Sequence, residues 1–110
     1  MALIDDQMED FAFELKRKLG TDSQTALKIM RAYEEAVGPD VLDLEPQDIA
    51  DAYVGQYDRV ADFAREYVAD NGMLSGADEI VEMYFDYQRF GTDLLMDGYA
   101  MSDDGYVFYA

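Results

Sequence analysis

The chain contains no cysteine and no histidine among its 110 residues. Disulfide bonds, zinc sites of thiolate or imidazole, cysteine nucleophiles and triads that use imidazole as the base are therefore excluded. No apolar run approaches the roughly 18 residues of a membrane-spanning helix. The N-terminus also has no basic and apolar blocks of the kind found in signal peptides. We therefore expect a cytoplasmic protein without a cofactor or a resident metal.

Basic side chains are also scarce, with 8 against 25 acidic ones, which gives a net charge of −17. This charge disfavours direct binding to nucleic acid and to anionic membranes, because both would repel it. The complementary partner is a basic protein surface, which the field of so many like charges attracts. Residues 1–44 carry a net charge of −5 and residues 45–110 a net charge of −12, so the excess lies in the second part.

Half of the residues are hydrophobic, which is enough for the core of one compact domain or two very small ones. In residues 1–44 the apolar side chains repeat at helical spacing. The first stripe comprises Ile4, Met8, Phe11, Ala12, Leu15 and Leu19. The second, which Thr21 or Asp22 caps and Gly38 ends, comprises Ala26, Ile29, Met30, Tyr33 and Val37. The pattern predicts a helical hairpin, followed by a linker over residues 39–46.

The second part, residues 45–110, also shows mainly helical spacing. The pattern predicts helices from Pro46 to about Tyr53 and from the cap Asp58 to Asn71, with a turn at Gln56 and Tyr57 between them. It predicts a helix over residues 77–85 and a final helix that Asp86 caps. The helix over residues 77–85 is expected to pack inward through Ile80, Val81, Tyr84 and Phe85.

After Gly98 the apolar side chains alternate, and a turn at residues 102–105 separates two short apolar runs, as in a β-hairpin. We therefore predict a mainly helical α+β protein, a small helical bundle with a short C-terminal hairpin. It is divided into an N-terminal helical hairpin over residues 1–44 and an acidic domain over residues 45–110.

Carboxylates recur every four residues in the second part, and such spacing places like charges on one helix face. The rows are Asp58, Asp62, Glu66 and Asp70, then Asp78, Glu82 and Asp86, then Asp93 and Asp97. Each like-charge neighbour pair costs an isolated helix about 0.2 to 0.5 kcal/mol, so the rows do not serve folding. Duplex DNA carries about one charge per 1.7 Å, and the fifteen carboxylates of residues 45–110 match about 25 Å of duplex. The pattern predicts a protein that imitates DNA, through Asp48, Asp51, Asp58, Asp62, Glu66, Asp70, Asp78, Glu79, Glu82, Asp86, Asp93 and Asp97.

Three other interpretations remain open. The rows can be a solvated face in a salt-adapted or aspartate-rich proteome, although such adaptation should acidify both parts of the chain alike. Gly20 to Ser23 faintly resembles the attachment site of acyl carrier proteins, where Ser23 would carry phosphopantetheine, but a helix cap explains the same residues. Asp103 and Asp104 are more simply a hairpin turn than a calcium loop, and no carboxylate pair is marked as a catalytic acid and base.

From Tyr53 onward the chain resembles the C-terminal part of ArdA-type antirestriction proteins. Four blocks carry the resemblance in order over about half of the chain: residues 53–57 (YVGQY), 62–64 (DFA), 84–87 (YFDY) with 93–94 (DL), and 105–108 (GYVF). Residues 1–44 have no counterpart in it.

The resemblance implies a homodimeric, non-enzymatic protein from a plasmid, phage or other mobile element. Such proteins inhibit Type I restriction-modification enzymes by imitating bent DNA in the DNA-binding groove. The family's antirestriction motif and dimer contacts fall on Tyr84, Phe85, Asp86, Tyr87 and Phe90. Core packing is the simpler role for Phe85 and Phe90, and either role suits Tyr84 and Tyr87. A different DNA-binding defence complex, such as a CRISPR effector with its basic channel, is the alternative target.

Overall fold

Three helices form one side of the molecule, of which the computed structural model describes residues 6–110. They are α1 (Asp6–Leu19), α2 (Ser23–Val37) and α3 (Pro46–Ala52), and a 3-10 turn at Val41–Asp43 lies in the predicted linker. The predicted hairpin is confirmed, with the α1 stripe buried at Phe11, Ala12 and Leu15. Ile4 lies outside the described residues. Asp22 caps α2 by accepting a hydrogen bond from the Thr25 N–H at 2.6 Å, which lowers the pKa of Asp22.

Three short strands form an antiparallel sheet in the order β1–β3–β2. They are β1 (Tyr53–Gln56), β2 (Tyr99–Met101) and β3 (Tyr106–Tyr109). The last two form the predicted hairpin, and the fold class is α+β and mainly α, as predicted. The strand β1 is a correction, because the sequence pattern predicted a helix end and a turn in this segment. It pairs with β3, placing Tyr53 opposite Phe108 across an irregular register.

Strand β3 lies between two hydrophobic cores, because successive side chains of a strand point to opposite faces. Tyr106 and Phe108 pack with the side chains of α1, α2 and α3. Val107 packs on the other face with Phe63 and Leu94 of two further helices, α4 (Val60–Asp70) and α6 (Tyr87–Met96). The sheet thus has helices on both faces. Side chains from both parts of the chain share the first core, and the division at residue 45 stays a prediction.

Helices α4 and α6 approach each other closely at Gly91. A Cβ at this position would lie 2.5 Å from Val60 Cγ1 and 2.8 Å from the Val60 carbonyl oxygen. Asp86 caps α6 as predicted, accepting a hydrogen bond from the Arg89 N–H at 2.9 Å. The cap predicted for α4 is wrong by one residue, because Arg59 occupies the N-cap position and Asp58 lies before it.

The short helix α5 (Glu79–Met83) lies within the predicted segment 77–85. Its predicted inward packing is wrong, because α5 contains no buried residue. Ile80 is 62% exposed and Tyr84, directly after the helix, is 81% exposed. Only Phe85 of the predicted inward set is partly buried. The amphipathic pattern was real, but its apolar side faces solvent in the single chain.

Candidate protein-binding surface

The carboxylates that the sequence predicted as a DNA-like surface lie on α3, on the turn before α4, and on α4, α5, α6 and their caps. All but one of the twelve are exposed, and Asp62 is partly buried. They are Asp48, Asp51, Asp58, Asp62, Glu66, Asp70, Asp78, Glu79, Glu82, Asp86, Asp93 and Asp97. Their exposure leaves them accessible to a partner.

The longest row is shorter than predicted. Asp62, Glu66 and Asp70 lie within α4 at four-residue spacing, on one face over about 12 Å of helix axis. Asp58 precedes the N-cap and is not part of the helix. The row therefore has three members.

Asp62 differs from the other two members of this row because it has two basic partners. Arg59 Nη2 and Arg65 Nη1 each lie 3.3 Å from Asp62 Oδ1. Among the described residues, Glu66 and Asp70 take part in no ion pair. The exposed negative charge of α4 is therefore concentrated in its C-terminal half.

The second row, Asp78, Glu82 and Asp86, does not lie on one helix. Asp78 is the N-cap of α5 and Asp86 the N-cap of α6, and the chain bends between them. A carboxylate at a helix N-terminus interacts favourably with the helix dipole, so these two residues have a structural role as well. The last pair does not lie wholly within one helix either, because Asp93 lies in α6 while Asp97 is its C-cap.

Two carboxylates of α3 make local hydrogen bonds. Asp48 Oδ2 accepts from the Glu45 N–H at 2.9 Å and completes a capping box. Asp51 Oδ1 accepts from Gln47 Nε2 at 2.7 Å. Both side chains remain exposed, and their charge is not cancelled by these neutral donors.

The five residues of the predicted antirestriction motif fall into two groups. Phe85, Tyr87 and Phe90 are partly buried and their rings contact one another, with centroids 4.9 Å apart for Phe85 and Tyr87 and 5.6 Å apart for Phe85 and Phe90. The Arg65 guanidinium lies 5.0 Å from the centre of the Tyr87 ring. Tyr84 and Asp86 are exposed. Tyr84 is therefore the aromatic member most available to another chain.

A cavity of about 310 Å³ lies between the sheet and α4, beside the exposed end of the acidic row. The buried ring of Phe63 contacts the rings of Tyr57, Tyr67 and Tyr99, with centroid distances of 5.5, 6.3 and 5.3 Å. The rings of Tyr67 and Tyr99 also meet, nearly perpendicular, at 5.9 Å. The cavity lining consists of Val54, Tyr57, Phe63, Glu66, Tyr67, Asp70, Asn71 and Tyr99.

Burial and neighbouring groups raise the pKa values of two tyrosines of this cavity. Burial and the nearby Glu66 carboxylate raise the pKa of Tyr57, so its hydroxyl stays protonated. Burial, together with Tyr67 and Tyr109, raises the pKa of Tyr99. The sequence did not indicate this site, because residues 57, 67 and 99 lie far apart in the chain and only the fold brings them together.

The structure also locates the residues of the metal, carrier and calcium-loop sites that the sequence analysis considered. Within residues 6–110, no group of three or more acidic side chains is arranged to hold a metal ion. Ser23 is exposed at the first position of α2, next to the cap Asp22. Asp103 and Asp104 lie in the turn between β2 and β3. In the described part of the chain no helix is long and apolar enough to cross a membrane.

These features define a small acidic α+β protein whose charge is displayed mainly on exposed helices and caps. A family model described as antirestriction protein (ArdA) matches residues 5–108, and the chain belongs to the ArdA family. The members of this family inhibit restriction enzymes and are not enzymes themselves. The resemblance seen from Tyr53 onward is confirmed. The expectation that residues 1–44 have no counterpart in the family is wrong, because the match begins at residue 5. Searches of curated proteins and of solved structures give no match.

Proposed function

We propose that this protein inhibits a Type I restriction-modification enzyme by occupying its DNA-binding groove in place of DNA. The observation that carries the proposal is the pair Glu66 and Asp70, exposed on one face of α4 without a basic partner among the described residues. Like charges at this spacing oppose helix formation. A basic surface that meets them would account for this arrangement.

The shape and charge of the chain agree with this proposal. The molecule is 54 Å long and 20 to 23 Å wide, close to the width of a duplex. Its net charge of −17 over this length gives about one charge per 3 Å, against about one per 1.7 Å for duplex DNA. About half the charge density of DNA suits a protein that replaces the phosphates on the side of the duplex that faces a groove.

The proposed partner is the basic groove of the host enzyme, and the proposed place of action is the cytoplasm of the host cell. We propose no direct contact with nucleic acid or membrane, since both carry the same sign of charge. A CRISPR effector has a basic channel too, so it is the second target to test in a competition assay with duplex DNA.

Inhibition should compete with DNA and weaken with salt. We expect added duplex to displace the protein from the DNA-binding core of a Type I enzyme, measured by fluorescence anisotropy with a labelled inhibitor. Raising NaCl from about 50 to 200 mM should weaken binding at least about tenfold, because screening shortens the reach of the exposed charges.

A matched increase in an uncharged osmolyte is the control and should leave affinity within about twofold. Simultaneous binding of duplex and inhibitor would contradict the proposal. Competition at a CRISPR effector but not at the Type I enzyme would show that the alternative target is the right one.

We also propose that two chains associate through α5 and Tyr84. Ile80, Val81, Met83 and Tyr84 are all at least half exposed, four large apolar side chains within five residues. Clustered exposed apolar side chains are typical of an interface. The resemblance implies dimer contacts at Tyr84, Phe85, Asp86, Tyr87 and Phe90, which begin at the end of this cluster, and Tyr84 is the most exposed aromatic residue among them.

Replacing Tyr84 with aspartate should shift the protein toward monomer. We expect the dimer dissociation constant to rise at least about tenfold, because a desolvated carboxylate would replace an aromatic anchor at the interface. Sedimentation velocity over a concentration series measures this. The control is Phe13→Asp, which changes a half-exposed aromatic of α1 in the same way and should leave the constant unchanged. Equal sedimentation of Tyr84→Asp and the unmodified chain would remove Tyr84 from the interface.

A further inference from the structure

The cavity beside Glu66 and Asp70 combines two features that recognise cations. Its lining includes the aromatic residues Tyr57, Tyr67 and Tyr99, and aromatic rings attract a positive charge. Two carboxylates stand at its edge, and no basic side chain of the described chain lines it. The two carboxylates would repel an anion, and a neutral apolar molecule would leave them without a partner, so the chemistry selects a cation with a flat or apolar body.

A guanidinium group fits this combination better than an ammonium group. It is planar, stacks on aromatic rings and donates hydrogen bonds to a carboxylate in a fixed fork. The same kind of contact already occurs within this chain, where the Arg65 guanidinium lies over the Tyr87 ring at 5.0 Å. In the cavity, the Glu66 and Asp70 carboxylates share one lining with the three tyrosines, so a carboxylate acceptor and aromatic rings are available to the same ligand.

We propose that this cavity binds the guanidinium group of an arginine side chain of the enzyme that the protein inhibits. The source of the arginine rests on the proposed function; the ligand chemistry rests on the cavity alone. Arginine is a common DNA-contacting residue in basic grooves, where it binds phosphates and base edges. The cavity would thus add a specific contact to an otherwise diffuse attraction between charged surfaces.

The ligand is tested with the isolated protein by an NMR titration with N-acetyl-arginine amide. We expect saturable shifts in the ring signals of Tyr57, Tyr67 and Tyr99, and at least about tenfold weaker binding of the matched lysine amide. The variants Glu66→Gln and Asp70→Asn keep the shape of each side chain and remove its charge. Each should weaken arginine-amide binding at least about fivefold. The control Glu79→Gln removes an exposed charge of α5 outside the cavity and should change binding less than twofold.

Shifts spread over the acidic surface, without saturation at the tyrosines, would overturn the proposal, and so would equal binding of the lysine amide. The titration contains no restriction enzyme, so its result does not depend on whether the protein inhibits one. Inhibition assays with Glu66→Gln then test the source of the arginine. Full inhibition by a variant that no longer binds the amide would overturn the assignment to the partner while leaving the proposed function intact.

Discussion

Reversing the charge of Glu66 and Asp70 together should abolish inhibition. We expect Glu66→Lys with Asp70→Lys to raise the concentration for half-inhibition of a Type I enzyme at least about 100-fold, which corresponds to about 2.7 kcal/mol. Both carboxylates are exposed and without a basic partner among the described residues. Their reversal therefore removes two attractions and places two positive charges against a basic groove, where like charges cost several kcal/mol.

The control for this variant is Asp103→Lys with Asp104→Lys. It changes the net charge of −17 by the same amount, but at exposed positions in the turn between β2 and β3, outside the proposed surface. We expect half-inhibition within about threefold of the unmodified chain. A similar loss in both variants would show that total charge, and not its position, determines inhibition. Thermal unfolding checks that both variants fold. The reversal on α4 exchanges one like-charge pair at positions 66 and 70 for another and turns the repulsion between positions 62 and 66 into an attraction, so it should not lower stability.

The helices that were predicted correctly from the sequence have long apolar stripes, and these stripes are buried within the single chain. In α1 and α2 the periodic residues, such as Leu15 and Ile29, are fully buried, so local pattern and tertiary packing agree. The pattern of α5 has the same appearance, but none of its residues is buried against another described part of the chain. Periodicity shows which side of a helix is apolar, and it does not tell whether that side meets a core or another molecule.

Strand β1 and the cavity depend on contacts between residues far apart in the sequence. Tyr53 pairs with Phe108, which lies more than fifty positions away, and no local pattern in residues 53–56 indicates that partner. Gly55 inside the segment favoured a turn over a strand. The three tyrosines of the cavity come from the loop after β1, from α4 and from β2. The ion pair of Arg65 with Asp62 could be predicted from their spacing of three residues on a helix, and it is confirmed. The pair of Arg59 with Asp62 was not predicted, because Arg59 lies at the N-cap of α4.

Replacing Gly105 with alanine should cause the largest loss of stability of any single change considered. Its φ is +89°, a conformation that costs other residues about 1 to 2 kcal/mol. A Cβ would also overlap the carbonyl oxygen of Tyr57, whose N–H donates to the Gly105 carbonyl at 2.9 Å. Such an overlap with backbone adds about 1 to 3 kcal/mol. We expect the free energy of unfolding to fall by about 3 kcal/mol and the midpoint by about 10 to 20 °C.

The control Gly76→Ala separates the two causes of this loss. Gly76 has a similar φ of +79°, but a Cβ there would meet nothing within 4 Å. It should therefore show the conformational cost alone, about 1 to 2 kcal/mol. Urea unfolding followed by circular dichroism gives both values. Equal losses would mean that the segment around Tyr57 moves aside without cost. A larger loss at Gly105 would mean that the close approach of its backbone to that of Tyr57 stabilises the protein and does not tolerate a Cβ.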